Sequence, residues 1–147
     1  MTAPSRSAVR HAFLGAVLVA VTGCGKPVQR GQAEGVVRCN GQPLADVRVT
    51  FVPSENLGRS VVRAEGTTDD QGRFDLQSDD NESGVIVGHY SVIVEDMAVY
   101  SAPRARDGTV LKRPPARFSP KFRDLRQTPL HEEIHVGTQK IEIDLSR

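Results

Sequence analysis

The chain has no tryptophan, two tyrosines and only two cysteines in 147 residues. Without an indole it lacks the broadest aromatic face on which a sugar ring could stack. Two cysteines cannot build the disulfide framework that small exported domains use in place of a large core. No apolar run approaches the roughly twenty residues that a helix needs to cross a bilayer. A Gly-rich phosphate loop is missing, and so is any sustained apolar repeat of helical period. Nor is there an excess of one charge: 19 Lys and Arg against 18 Asp and Glu give a net +1. That balance offers nucleic acid no general attraction.

What is present begins at Cys24. Arg6 and Arg10 precede an apolar run from Ala12 to Val21, and Val21, Thr22 and Gly23 stand directly before the cysteine. A charged start, a short apolar stretch and small residues are the parts of a secretory signal, here residues 1–23. The string Val21-Thr22-Gly23-Cys24 resembles the lipobox of bacterial lipoproteins. That resemblance implies cleavage before Cys24, diacylglycerol on its sulfur and acylation of the new amino terminus. Each buried CH₂ contributes about 0.8 kcal/mol, and two or more chains hold a protein on a membrane where one does not. The alternative is an ordinary signal with Cys24 left as a free thiol. The non-acidic Gly25 favours the outer over the inner membrane. The expected location is the bacterial cell envelope, lipid-anchored and facing the periplasm or the cell surface.

Cleavage before Cys24 leaves 17 basic and 18 acidic residues, a net of −1. Residues 24–34 offer little to bury and read as a lipid-anchored tether. Residues 35–147 are enough for one domain and too few for two. Cys39 would then have no intrachain partner. It shares a strand face with Val37 and reads as a buried structural thiol rather than a reactive one.

Alternation and turns dominate the domain. Gly35–Cys39 is a short strand stopped by Asn40-Gly41, a tight-turn dipeptide. Val47, Val49 and Phe51 share one face of a strand that Pro53 ends. Arg63–Thr68 and Arg73–Leu76 flank the turn Asp69-Asp70-Gln71-Gly72, with Phe74 and Leu76 inward. Val85–Glu95 reads as one strand with Tyr90, Val92 and Val94 on a single face, and Ile141, Ile143 and Leu145 alternate with Glu142 and Asp144. Six or seven short strands separated by turns predict an all-β protein, a Greek-key β-sandwich of about seven strands.

These pieces resemble the small lipoproteins of planctomycete-type bacteria that carry a carboxypeptidase-regulatory-like, transthyretin-like domain. The resemblance rests on Gly35-Val36-Val37, Asn40–Leu44, Val47–Pro53, Thr68–Phe74, Gly88–Val92, Pro120–Phe122, Thr128–Leu130 and Ile141–Leu145, in that order. It implies a prealbumin-like seven-stranded sandwich acting as a non-catalytic accessory module, with no cofactor. A related enzyme group hydrolyses 5-hydroxyisourate with a C-terminal Tyr-Arg-Gly-Ser tail. Here the chain reads Asp144-Leu145-Ser146-Arg147, so that activity is not expected.

Three motifs bear on chemistry. His131-Glu132-Glu133-Ile134-His135 spells the HExxH of zinc hydrolases, which needs a helix to set both histidines on one face with the Glu beside the metal. Pro129 and Gly137 bracket the string too closely for such a helix, and no third ligand stands at a suitable spacing. As a strand it separates His131 from His135 by about 13 Å, with the histidines outward and Ile134 and Val136 inward. Asp69 and Asp70, and Asp79, Asp80 and Glu82, supply carboxylates that calcium uses, but in turn sequences without the spacing of a calcium loop. The Pro-rich stretch 97–127 carries Arg104, Arg106, Lys112, Arg113, Arg117, Lys121, Arg123 and Arg126 against Asp107 and Asp124. Its +6 leaves −7 on the rest of the mature chain. Such asymmetry suits an anionic glycan, lipopolysaccharide phosphates or an acidic envelope protein, against the plainer reading of a solvated loop.

The sequence therefore leads to a non-catalytic, lipid-anchored envelope module, with anionic-glycan binding through the basic loop as the alternative and a zinc hydrolase as a distant third.

Overall fold

A computed structural model describes residues 27–55, 61–99, 103–109 and 115–145. Its strands in chain order are β1 (Arg30–Cys39), β2 (Gln42–Pro43), β3 (Val47–Pro53), β4 (Ala64–Thr67) and β5 (Arg73–Asp75). Then come β6 (Gln77–Ser78), β7 (Val85–Ile86), β8 (Gly88–Asp96), β9 (His131–Ile134) and β10 (Gly137–Leu145). They form two packed sheets, the all-β sandwich expected from the alternation.

The first sheet is organised around β1. Along one edge β1 pairs in parallel with β10, from Gly31↔Gly137 to Cys39↔Leu145. Its other edge is shared out among three short antiparallel partners: β7 at Arg30–Gly31, β5 at Glu34–Val36 and β2 at Arg38–Cys39. The second sheet runs β6-β4-β3-β8-β9, all antiparallel. Inward residues of both sheets make the core, including Val37, Val47, Val49, Phe51, Val92, Val94, Ile134, Ile143 and Leu145. Burying each such side chain contributes about 1.5–3 kcal/mol. Phe51 and Tyr90 pack with ring centroids 5.9 Å apart, and the Tyr90 hydroxyl donates to the Ile86 carbonyl at 2.6 Å.

The expected faces are the observed ones for β3, β5, β8 and β10. Asn40 and Gly41 both take positive φ, 51° and 79°, the backbone that a two-residue hairpin between β1 and β2 requires.

Three readings change. β1 starts at Arg30, five residues before Gly35, so Arg30–Glu34 belong to the sheet and only residues before Arg30 are left as tether. The sequence hid this because the inward residues Gly31 and Ala33 are small. Gly31 has no room for a side chain, since a Cβ there would clash with the His135 carbonyl oxygen of the β9–β10 turn. The expected strand Val85–Glu95 is two strands in different sheets, broken at Gly88, where φ is 153°. Val136 is 65% exposed at the β9–β10 turn, not inward.

Replacing Gly31 with Ala is expected to cost about 1–3 kcal/mol, the range of overpacking a filled site. A lower urea midpoint with an unchanged slope is the expected result, and a midpoint equal to wild type would contradict the close approach of β10.

Candidate functional site

The basic stretch is the largest element outside the strands, and its attachment decides which charges it can offer. β8 ends at Asp96, whose carboxylate is nearly buried. Asp96 Oδ1 accepts the Ala98 N–H at 3.0 Å, capping the 3-10 turn Met97–Val99. Arg117 then returns to the same carboxylate. Its Nε donates to Asp96 Oδ2 at 2.8 Å and its Nη2 to Oδ1 at 2.6 Å, a two-pronged pair. The remaining prongs reach the Ala45 and Asp46 carbonyls at 2.7 and 3.1 Å. The hydrogen bond to Asp96 holds the guanidinium pKa above its usual value, opposing the effect of burial. Arg suits this place because its planar fork meets a carboxylate with two parallel bonds, which an ammonium cannot do.

The backbone of Arg117 is held as well, since the Cys39 thiol donates to its carbonyl at 3.3 Å. Cys39 is half-buried rather than buried, and packs against the core. Beyond it Phe118 and Phe122 bury themselves edge to face at 6.3 Å, the latter on the 3-10 helix Pro120–Arg123. Asp124 turns the chain by accepting the Arg126 N–H and the Gln127 side-chain amide, both at 2.8 Å. Thr128 Oγ1 donates to the Val92 carbonyl at 2.6 Å, and the Val92 N–H to the Leu130 carbonyl at 2.9 Å. Residues 117–130 are thus a fixed strap laid along β8, while Leu125 stays 47% exposed.

This divides the expected anion-binding set. Arg117 leaves it, because its donors are spent on the body of the domain. Lys121 lies 4.9 Å from the Phe122 ring centroid with its amine at the surface, and Arg123 and Arg126 are exposed. Arg104 and Arg106 are exposed on the turn 104–109, where Arg104 Nη1 donates to the Gly108 carbonyl at 3.2 Å. Lys112 and Arg113 lie outside the described residues, as does Cys24.

The HEEIH string is strand, not helix, over His131–Ile134. His131 and His135 are exposed, and Ile134 is fully buried. The Glu133 carboxylate lies between His89 and His135, at 3.9 and 3.7 Å from their Nδ1 atoms, while His131 Nδ1 is 3.4 Å from Ser91 Oγ. Among the described residues no cluster of His, Cys, Asp or Glu can hold a metal. Glu132 points the other way, half-buried, and desolvation raises its carboxyl pKa. The helical zinc geometry is therefore not formed by these residues.

The turn carboxylates are engaged locally. Asp69 Oδ1 accepts the Gln71 and Arg73 N–H groups at 2.8 and 2.9 Å, and Asp79 Oδ1 accepts that of Arg63 at 3.0 Å. Asp80 grips Arg30 at 2.5 Å, which lowers its pKa to about 2. An open groove of about 690 Å³ crosses the outer face of the first sheet between Glu34, Val36, Arg73, Asp75, Lys140 and Glu142. Its charges are of mixed sign, so it presents no single potential. The Asp96–Arg117 pair had no signature in the sequence. Twenty-one residues separate the partners, and only the return of the strap brings them together.

A family model described as Transthyretin-like family matches residues 34–95, which run from within β1 almost to the end of β8. No curated protein and no solved structure matches the chain. The match agrees with the two-sheet architecture and stops short of the strap and of β9 and β10.

Arg117→Ala leaves Asp96 nearly buried without its partner and is expected to destabilise the fold by about 2–4 kcal/mol, toward the range for a broken buried pair. Arg117→Lys should recover less than half of that, because the fork is lost; denaturation midpoints of the three proteins check both. Glu132→Gln tests a pH effect. Because the folded pKa of Glu132 is raised, the native state favours the protonated acid and loses stability as pH rises past the ordinary carboxyl range near 4. The Gln variant should therefore be more stable than wild type at pH 7, with the difference vanishing below about pH 4. Equal midpoints at pH 7 would contradict the burial of this side chain.

Proposed function

We propose that the chain is a non-catalytic, lipid-anchored module of the bacterial cell envelope. It is fastened through Cys24, faces the periplasm or the cell surface, and favours the outer membrane. The observation that carries this reading is the lipobox-like Val21-Thr22-Gly23-Cys24 behind a charged start and a short apolar run; the polarity of the sandwich then gives the orientation of an anchored domain. The chain enters at the Arg30 end of β1, while the basic strap leaves β8 at Asp96, at the other end. Nine residue steps along β1 separate the two ends by about 30 Å. Anchored at Cys24, the domain carries the start of this stretch farthest from the bilayer, and the strap returns along β8 only as far as Val92, four residue steps or about 13 Å from Gly88 and still beyond a Debye length of about 8–10 Å. The strap's cations are then not consumed by lipid phosphates and remain available to a partner in the aqueous space. The transthyretin-like match is compatible with such a non-catalytic module.

A second reading specifies that partner as an anionic polysaccharide. It is favoured by the surface exposure of Arg104, Arg106, Lys121, Arg123 and Arg126, none of which has an ion-pair partner among the described residues. An acidic envelope protein would use the same surface.

The anchor is tested by expressing the full chain in a Gram-negative host. Wild type should enter the detergent phase on phase partition and show a diacylglyceryl mass on the Cys24 peptide, whereas Cys24→Ser should stay aqueous. A wild-type protein that is aqueous with an unmodified sulfur ends the proposal. For the second reading, retention on an acidic envelope polysaccharide should fall steeply with added salt and weaken several-fold in an Arg123→Ala, Arg126→Ala double variant. Absence of retention at low ionic strength removes it.

A further inference from the structure

The four large apolar side chains left exposed among the described residues are not scattered. Val28, Val61 and Val136 are 40%, 52% and 65% exposed, and all three sit at the end of the sandwich where the chain enters; only Leu125 lies elsewhere. The pairings fix that shared end. Gly31 pairs with Gly137, just after Val136, and Gly88 pairs with Ile134, just before the same turn. The Val87 N–H donates to the Gln29 carbonyl at 3.0 Å, which places Val28 beside β7. Arg63 and Asp79 exchange backbone and carboxylate bonds at the start of β4, which brings Val61 to the same rim. At this same end, on either side of Val28 in the chain, a shallow groove of about 530 Å³ is lined by Pro27, Gln29, Ile86 and Val87, with Ile86 and Val87 half-buried.

We infer that this end of the sandwich is a seat for the bilayer surface, with Val28, Val61 and Val136 entering the headgroup–acyl boundary. The inference rests on the lipid anchor at Cys24. The occupant follows from covalent reach. Gln29 is already bound to the domain, and five Cα steps from Cys24 to Gln29 span at most about 18 Å. An acylated Cys24 therefore holds this end, and no other, within touching distance of the lipid.

The charges at the seat decide what kind of contact it makes. Among the described residues Arg30 and Arg63 are outnumbered by Glu55, Asp79, Asp80, Glu82 and Glu133, and Arg30 is already committed to Asp80. The described charges therefore give anionic lipid no net attraction, and contact comes from apolar insertion at a zwitterionic surface. It should be insensitive to salt, unlike any contact made by the basic strap.

The test uses the lipidated full chain in phosphatidylcholine vesicles, in a Cys39→Ala background. One environment-sensitive fluorophore is attached at Val136→Cys and, separately, at Gln42→Cys at the opposite end. Spin-labelled lipid should quench the probe at 136 several-fold more than the probe at 42, with little change on raising the ionic strength. Replacing Val28 and Val61 with Ser should reduce the quenching at 136 while leaving the Cys24 lipid mass intact. Equal quenching at both positions in a protein whose Cys24 carries lipid overturns the seat and leaves the anchor standing. Disulfide-linked dimers through position 136 would assign the patch to a second copy of the chain instead. An unmodified Cys24 removes the anchor and the seat with it.

Discussion

The parallel pairing of β1 with β10 is the constraint on which the rest of the domain depends. It joins the first strand to the last over nine residue pairs, from Gly31↔Gly137 to Cys39↔Leu145. Through it Val37, Ile143 and Leu145 face the second sheet together and close one side of the core. β1 must then accept three separate strands on its other edge, so the inward positions under their crossings are small. At Gly35 a Cβ would meet the Phe74 ring and the Ile141 carbonyl oxygen, both at 2.5 Å. Glycine here is required by close approach, not by backbone freedom.

The same pairing gives the sandwich a direction. It fixes the chain entry at one end, and because β8 runs the length of the second sheet from Gly88 to Asp96, the basic strap departs from the other. Asp96 and Arg117 secure that departure. A carboxylate this buried is costly unless a matched donor is present. Arg117 supplies two bonds to it and spends its other prongs on the Ala45 and Asp46 carbonyls. Cys39, Phe118, Phe122 and Thr128 complete the attachment with a thiol, two rings and a hydroxyl. A segment whose composition resembles a free polar loop is therefore part of the body along its C-terminal half.

Two families of polar residues that invite a catalytic reading are resolved by secondary structure. HEEIH lies on an edge strand, where the period of two sends Glu132 and Ile134 to one face and the histidines to the other. Asp69 satisfies N–H groups of its own turn, the usual use of short carboxylates there, while Asp79 accepts the Arg63 N–H beside β4 and Asp80 pairs with the Arg30 guanidinium. Among the outward-facing features are basic side chains along the strap and apolar residues at the entry end, an arrangement suited to contact.

The strands with large alternating side chains were legible in the sequence. Val47-Val49-Phe51, Tyr90-Val92-Val94 and Ile141-Ile143-Leu145 write the period of two directly, and Asn40-Gly41 writes its turn. The charge contrast between strap and sandwich was likewise a matter of counting. The sequence did not disclose the early start of β1, where Gly31 and Ala33 are too small to register as apolar. It did not disclose the division of Val85–Glu95 at Gly88 between two sheets, because a continuous apolar run carries no mark of which sheet each half joins. Nor did it show that Arg117 serves the fold while Arg123 and Arg126 do not. Local pattern reports which side of a strand is dry; which distant groups meet, and which charges are thereby spent, is set only when the chain closes on itself.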